Sequence, residues 1–257
     1  MNRDNFEIVN GCLVKYNGQE KNVVIPDGVT AVNYNAFGRY NSEIESIHIP
    51  SGVSRLCGDG DFFREDTPFD AMVNLRKITV DPESKYFKVS DNALYSKDGR
   101  TLYRVFAENK IEEFILPQSV RYIKFKAIHY NTVDFAYIGA NNIKAASYCN
   151  INADFYAPDV ILQKLNSITK TEAVNGFAVA VKRGYEINED VRRQYISYIK
   201  SQAKRLIEYG ARRELIMFMA EENIFPKDMY DDCIAFYRNI DDTETMTVLT
   251  ECKERFG

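Results

Sequence analysis

Side chains able to do acid–base, metal or nucleophilic chemistry are few and scattered along this 257-residue chain. Neither of its two histidines, His48 and His129, lies at the i,i+4 or short-loop spacing that gathers metal ligands. His48 stands between Ile47 and Ile49, so strand alternation turns it away from a core and onto an exposed face. Five cysteines (Cys12, Cys57, Cys149, Cys233, Cys252) are an odd number, far apart and without a C-x-x-C. That pattern predicts reduced, mostly buried thiols and no disulfide framework. Asp59-Gly60-Asp61, with Glu65, Asp66 and Asp70, concentrates carboxylates but lacks the residue order and distal glutamate of a calcium loop. It reads as a solvated insertion, long enough to serve as a recognition element. Phosphate-cradling, nucleophile-elbow and zincin motifs are all missing. The expectation is a non-enzymatic chain with no catalytic residue, no metal and no cofactor.

The elements that would present any such side chain come from internal repetition. Ile25-Pro26-Asp27-Gly28-Val29 recurs 24 residues later as Ile49-Pro50-Ser51-Gly52-Val53, and more loosely as Leu116-Pro117-Gln118-Ser119-Val120. Before each Pro lies an alternating segment: Asn22 to Ile25, Ser46 to Ile49, and Glu113 to Leu116. Period-2 alternation marks a half-buried strand, and Pro stops its ladder by removing a donor. A second repeat, offset by 81, aligns the stretch from Phe6 through Leu13 to Asn17-Gly18 with that from Phe87 through Leu94 to Asp98-Gly99. Asn-Gly and Asp-Gly favour two-residue hairpins because both central positions take positive φ. The spacing therefore predicts hairpins at Asn17-Gly18 and Asp98-Gly99, with return strands at Asn22 to Ile25 and Thr101 to Val105. A strand–turn unit of about 24 residues cannot bury its apolar face alone, so neighbours must stack into a solenoid.

The Ile-Pro-x-Gly-Val unit and the segment Tyr86 to Leu102 resemble the BspA-type leucine-rich repeat proteins of bacteria. The resemblance covers roughly residues 6–158, with the insertion at 57–74 departing from it. It implies a curved right-handed solenoid and a binding role, and it implies no catalytic residue. On this reading the chain is an α+β repeat protein. A leucine-rich repeat β-solenoid with hairpin insertions occupies 5–158, and an all-α domain of helical hairpins over 159–257 caps it. The helical expectation rests on periodicity: apolar residues at 191, 195, 198, 199, 203, 206 and 207 form a 3.6-residue stripe. Gly210 reads as a C-cap, Pro226 as a helix start, and Asp241-Asp242-Thr243 as an N-cap.

Composition supports folded interaction surfaces rather than chemistry. The chain is 45% hydrophobic and 13% aromatic with a net charge of −4, which excludes disorder and a surface built throughout to grip polyanions. The first partner expectation is an unidentified protein or peptide, bound along a concave ladder of outward strand positions. Those positions are Asn22, Val24, Ser46, His48, Lys77, Thr79, Glu113, Ile115, Asp154 and Tyr156. The alternative is nucleic acid or an acidic partner on a basic stripe: Arg192, Arg193, Lys200, Lys204, Arg205, Arg212 and Arg213. Residues 182–213 carry a local +5, followed by a local −7 over 214–257, so mutual pairing of the two competes with that alternative. No apolar run approaches a membrane span and the start shows no secretory signal, so a cytoplasmic location is expected. A signal sequence upstream in the gene would instead suggest a cell-surface adhesin.

Overall fold

The computed structural model describes residues 3–38, 43–56, 67–70, 72–139, 151–158 and 162–257. Most of the acidic insertion, together with Cys57 and Cys149, lies outside these. The chain divides into two compact units, Met1–Ala153 and Asp154–Gly257.

In the first unit the repeated Pro turns fold alike. The amide of Val29 donates to Pro26, that of Val53 to Pro50 and that of Val120 to Pro117, at 3.3, 3.2 and 3.0 Å. The strand before each turn buries alternate residues. Strand β3 (Asn22–Val24) buries Val23, β5 (Ser46–Ile49) buries Ile47 and Ile49, and β6 (Lys77–Val80) buries Ile78. Val29, Val32, Val53 and Leu56 close the opposite side of each coil and are essentially inaccessible. Each such side chain contributes roughly 1.5–3 kcal/mol, so the core is a stack of thin layers and grows one repeat at a time.

Parallel pairing joins β3, β5 and β6 in one sheet; β4 (Ala31–Val32) runs parallel to β2 (Cys12–Tyr16) on another. Farther along, β9 (Thr101–Val105) pairs with β11 (Tyr122–Ile123), and β10 (Ile111–Ile115) with β12 (Val133–Tyr137), again in parallel. This is a β-solenoid.

The hairpins need one correction. Strand β1 (Phe6–Val9) pairs antiparallel with β2, and β7 (Phe87–Ser90) with β8 (Ala93–Ser96), so the 81-residue repeat is a repeated hairpin. Its turn lies one strand earlier than expected, at Asn10-Gly11 and Asp91-Asn92. All four residues hold positive φ (50°, 77°, 48° and 56°). The Asp98-Gly99 turn does join β8 to its return strand β9, with Gly99 at φ 73°. Asn17-Gly18 makes no hairpin: β3 pairs with β5 rather than β2, and Gly18 is not in the left-handed region. Parallel stacking of β2 on β4 takes the edge that a return strand would need. Because Asn92 occupies a conformation that suits glycine, Asn92→Gly is expected to stabilise the protein by about 0.5–1 kcal/mol in urea unfolding. A loss of stability would contradict the turn assignment.

The second unit opens with β13 (Asp154–Tyr156) and, among the described residues, continues through five α-helices. These are α1 (Ser167–Lys182), α2 (Glu189–Tyr209), α3 (Arg213–Glu221), α4 (Tyr230–Asn239) and α5 (Thr243–Phe256). The expected stripe of α2 buries Tyr195, Ile199, Ala203 and Leu206. Phe177 stacks on Tyr195 with centroids 4.4 Å apart and meets Phe218 edge-on at 5.4 Å, which locks α1, α2 and α3 together. Gly210 caps α2 through its amide to Leu206, and buried Asn175 holds the α2–α3 turn, donating to Gly210 O and accepting from Arg212 N. Asp242 caps α5 by accepting from the Thr245 amide. No helix among the described residues is long and apolar enough to cross a membrane.

Candidate functional site

The most organised exposed surface lies on the β3–β5–β6 sheet. Its register sets Asn22, Ser46 and Lys77 side by side, then Val24, His48 and Thr79 one rung farther on. Parallel in-register stacking produces this ladder, because equivalent positions of successive repeats must emerge on the same side. Neighbouring repeats are stitched across it by side chains. Lys21 pairs with Glu45 at 2.7 Å, and Ser46 Oγ donates to Asn22 Oδ1 at 2.6 Å. His48 contacts Thr79 Oγ1 through Nδ1 at 2.9 Å and Asp81 Oδ1 through Nε2 at 3.0 Å; Asp81 Oδ2 also accepts from the Ser51 amide.

A groove of about 540 Å³ runs over these rungs, with Arg76, Glu108 and Asn109 completing its walls. It shares Arg76 and Glu108 with a second concavity that reaches Lys110 and Tyr130, and His48 and Val24 with a third that reaches Pro26 and Asp27. The three adjoining concavities present cationic, anionic, amide, hydroxyl and apolar groups. His48 is committed to linking β5 to β6 and the residue that follows β6. Among the described residues no cluster of three or more His, Cys, Asp and Glu could hold a metal ion.

The other expected ladder positions separate from these six. Glu113 and Ile115 lie on β10, whose strand partner is β12, opposite Phe135 and Tyr137. Ile115 is well exposed, but the β7–β8–β9 insertion comes between β6 and β10 in the chain and the two strands belong to different sheets. Asp154 and Tyr156 are not outward at all. β13 is buried along its whole length, and α1 packs directly against it. There Asp154 Oδ1 lies 2.7 Å from Arg212 Nη1, a close approach of charges without the alignment of a hydrogen bond. Sequence reasoning missed Asp81, Arg76, Glu108 and Asn109. A signal for Asp81 was available: Val80 pairs with Ile49, so Asp81 takes the slot of Pro50 and faces the neighbouring rung.

The basic stripe is largely neutralised by its own unit. Arg192 pairs with Glu222, Arg193 with Asp190, Lys204 with Asp228, and Arg213 with Asp242 and Glu244. Arg212 is drawn to Asp154 and Glu172. Most of these acids come from the −7 segment, so the two opposite local charges largely cancel in pairs between helices. Lys200 and Arg205 make no ion pair among the described residues.

No known protein family and no curated protein matches the chain. Among solved structures it is similar to a leucine-rich repeat protein from Eubacterium ventriosum, at 19% identity over 58% of this chain and 46% of that one, with a TM-score of 0.37. It is also similar to the pneumococcal vaccine antigen PcpA, at 10% identity over 55% of this chain and 51% of that one, with a TM-score of 0.26. The chain spans about half the length of the solved chains it matches.

Proposed function

We propose that the protein is a non-enzymatic interaction module, and that its solenoid binds a protein or peptide partner along the β3–β5–β6 ladder. The observation that carries this reading is the in-register pair of rungs, Asn22/Ser46/Lys77 and Val24/His48/Thr79, flooring a groove. Its mixture of charge, hydrogen-bonding groups and apolar patches suits a protein surface better than a polyanion. The resemblance of the repeat units to BspA-type proteins supports the same reading.

Charge reversal at Arg76 and Lys77 together (Arg76→Glu with Lys77→Glu), both lining the groove, is expected to weaken capture of a partner by the immobilised full chain about tenfold. Arg193→Glu on the helical unit should leave capture unchanged. Unchanged capture by the double variant, at unchanged melting temperature, would overturn the ladder as the binding surface.

A further inference from the structure

The two most exposed large apolar side chains among the described residues lie on one small groove of the helical unit. They are Ile168, 70% exposed, and Tyr209, 81% exposed. The groove measures about 180 Å³, with Tyr198 and Leu206 also lining it between α1 and α2. Ile168, Tyr198, Leu206 and Tyr209 share this one concavity, whereas scattered surface hydrophobics need no partner.

Its electrostatics are one-signed. Arg205 lines it without an ion pair, and Lys170, also unpaired among the described residues, sits with Nζ 5.8 Å from the centre of the Tyr198 ring. No carboxylate lines the groove among the described residues. Ile168 belongs to the first turn of the 16-residue α1, whose N-terminal end adds partial positive charge. This contrasts with Arg192, Arg193, Lys204, Arg212 and Arg213 of the basic stripe, for which the unit supplies its own acids. Here the acids are left for something else to supply.

We infer that this groove docks a partner segment with an aromatic or aliphatic anchor flanked by acidic residues. The anchor enters between Ile168 and Tyr209, and the flanking carboxylates meet Arg205 and Lys170. This surface is separate from the solenoid ladder and stands without it.

The test uses the full chain and a fluorescein-labelled short peptide with a central Phe flanked by Glu on both sides. Its counterparts replace the Phe by Ser or the Glu residues by Lys. Anisotropy at low salt should show saturable binding of the acidic Phe peptide, weakened at least about tenfold by either peptide change. Arg205→Glu and Tyr209→Ser, both at exposed positions, should each weaken it by a similar factor, and Lys77→Glu should not. Absence of binding, equal binding of the Lys-flanked peptide, or loss on Lys77→Glu would each overturn the assignment. So would a concentration-dependent dimer abolished by Tyr209→Ser, which would make the occupant a second copy of the chain.

Discussion

Gly176→Ala is expected to destabilise the helical unit by about 3 kcal/mol or more, although glycine-to-alanine in a helix interior ordinarily stabilises by about 1 kcal/mol. Gly176 lies within α1, at its closest approach to β13. A Cβ there would stand 2.1 Å from the Phe155 carbonyl oxygen, 2.3 Å from its carbonyl carbon and 2.4 Å from its amide nitrogen. All three are backbone atoms, so no rotamer change clears the space; helix and strand must part. Parting them loosens Phe177 from Tyr156 and Tyr195, and draws Asp154 away from Arg212. Thermal unfolding followed by helical circular dichroism should show a Tm lower by roughly 10 °C or more. A Tm equal to or above the parent's would mean that helix propensity decides at this position and that the contact is looser than described.

How far the fold could be read from sequence follows from how local each signal is. The three Pro-x-x-Val turns were legible because turn, strand end and first buried valine lie within five residues of one another. The repeated hairpin was legible as a repeat but not in register. Asn10-Gly11 and Asn17-Gly18 carry the same dipeptide signal, and only the parallel docking of β4 on β2 decides between them. Asp154 and Tyr156 were misread for a related reason. Alternation reports exposure only when a sheet has one wet face, and every residue of β13 is buried. Arg104 escaped notice because its partners are remote. It is buried on β9, donating to Met72 O at 3.2 Å and Lys126 O at 2.8 Å, carbonyls 32 and 22 residues away. The proposed ladder sits between these extremes. Its six in-register positions follow from repeat arithmetic, while Arg76, Glu108 and Asn109 enter the groove through loops whose course no periodicity encodes.

The two units are expected to respond to pH in opposite directions. His129 is buried in the solenoid unit, with Nδ1 accepting from the Asn131 amide. Burial first, and then the positive charges of Arg104 and Lys126, hold its pKa down to about 4 against an ordinary 6.5. The unfolded chain takes up that proton near 6.5 and the folded unit only near 4. Stability is therefore whole above about 6.5 and drains away as pH falls to about 4, by about 3 kcal/mol. Asp154, in the helical unit, has the reverse linkage. Burial raises its pKa to about 7, helped by Glu172 and Glu214 and opposed by Arg212. The unfolded carboxyl ionises near 3.8 but the folded one only near 7, so its stabilising contribution is full below about 3.8 and disappears as pH rises through 7. Between pH 8 and pH 5 the helical unit should gain stability while the solenoid unit loses it. Hydrogen exchange in urea, read separately on peptides from β3–β6 and from α1–α3, distinguishes the two responses. His129→Gln should flatten the acid limb of the first even if it lowers its plateau. Asp154→Asn should flatten the second and raise its stability at pH 8 by about 2 kcal/mol, because an amide gives up the buried charge and keeps the shape. Parallel pH profiles for the two units, unchanged by either substitution, would refute both assignments.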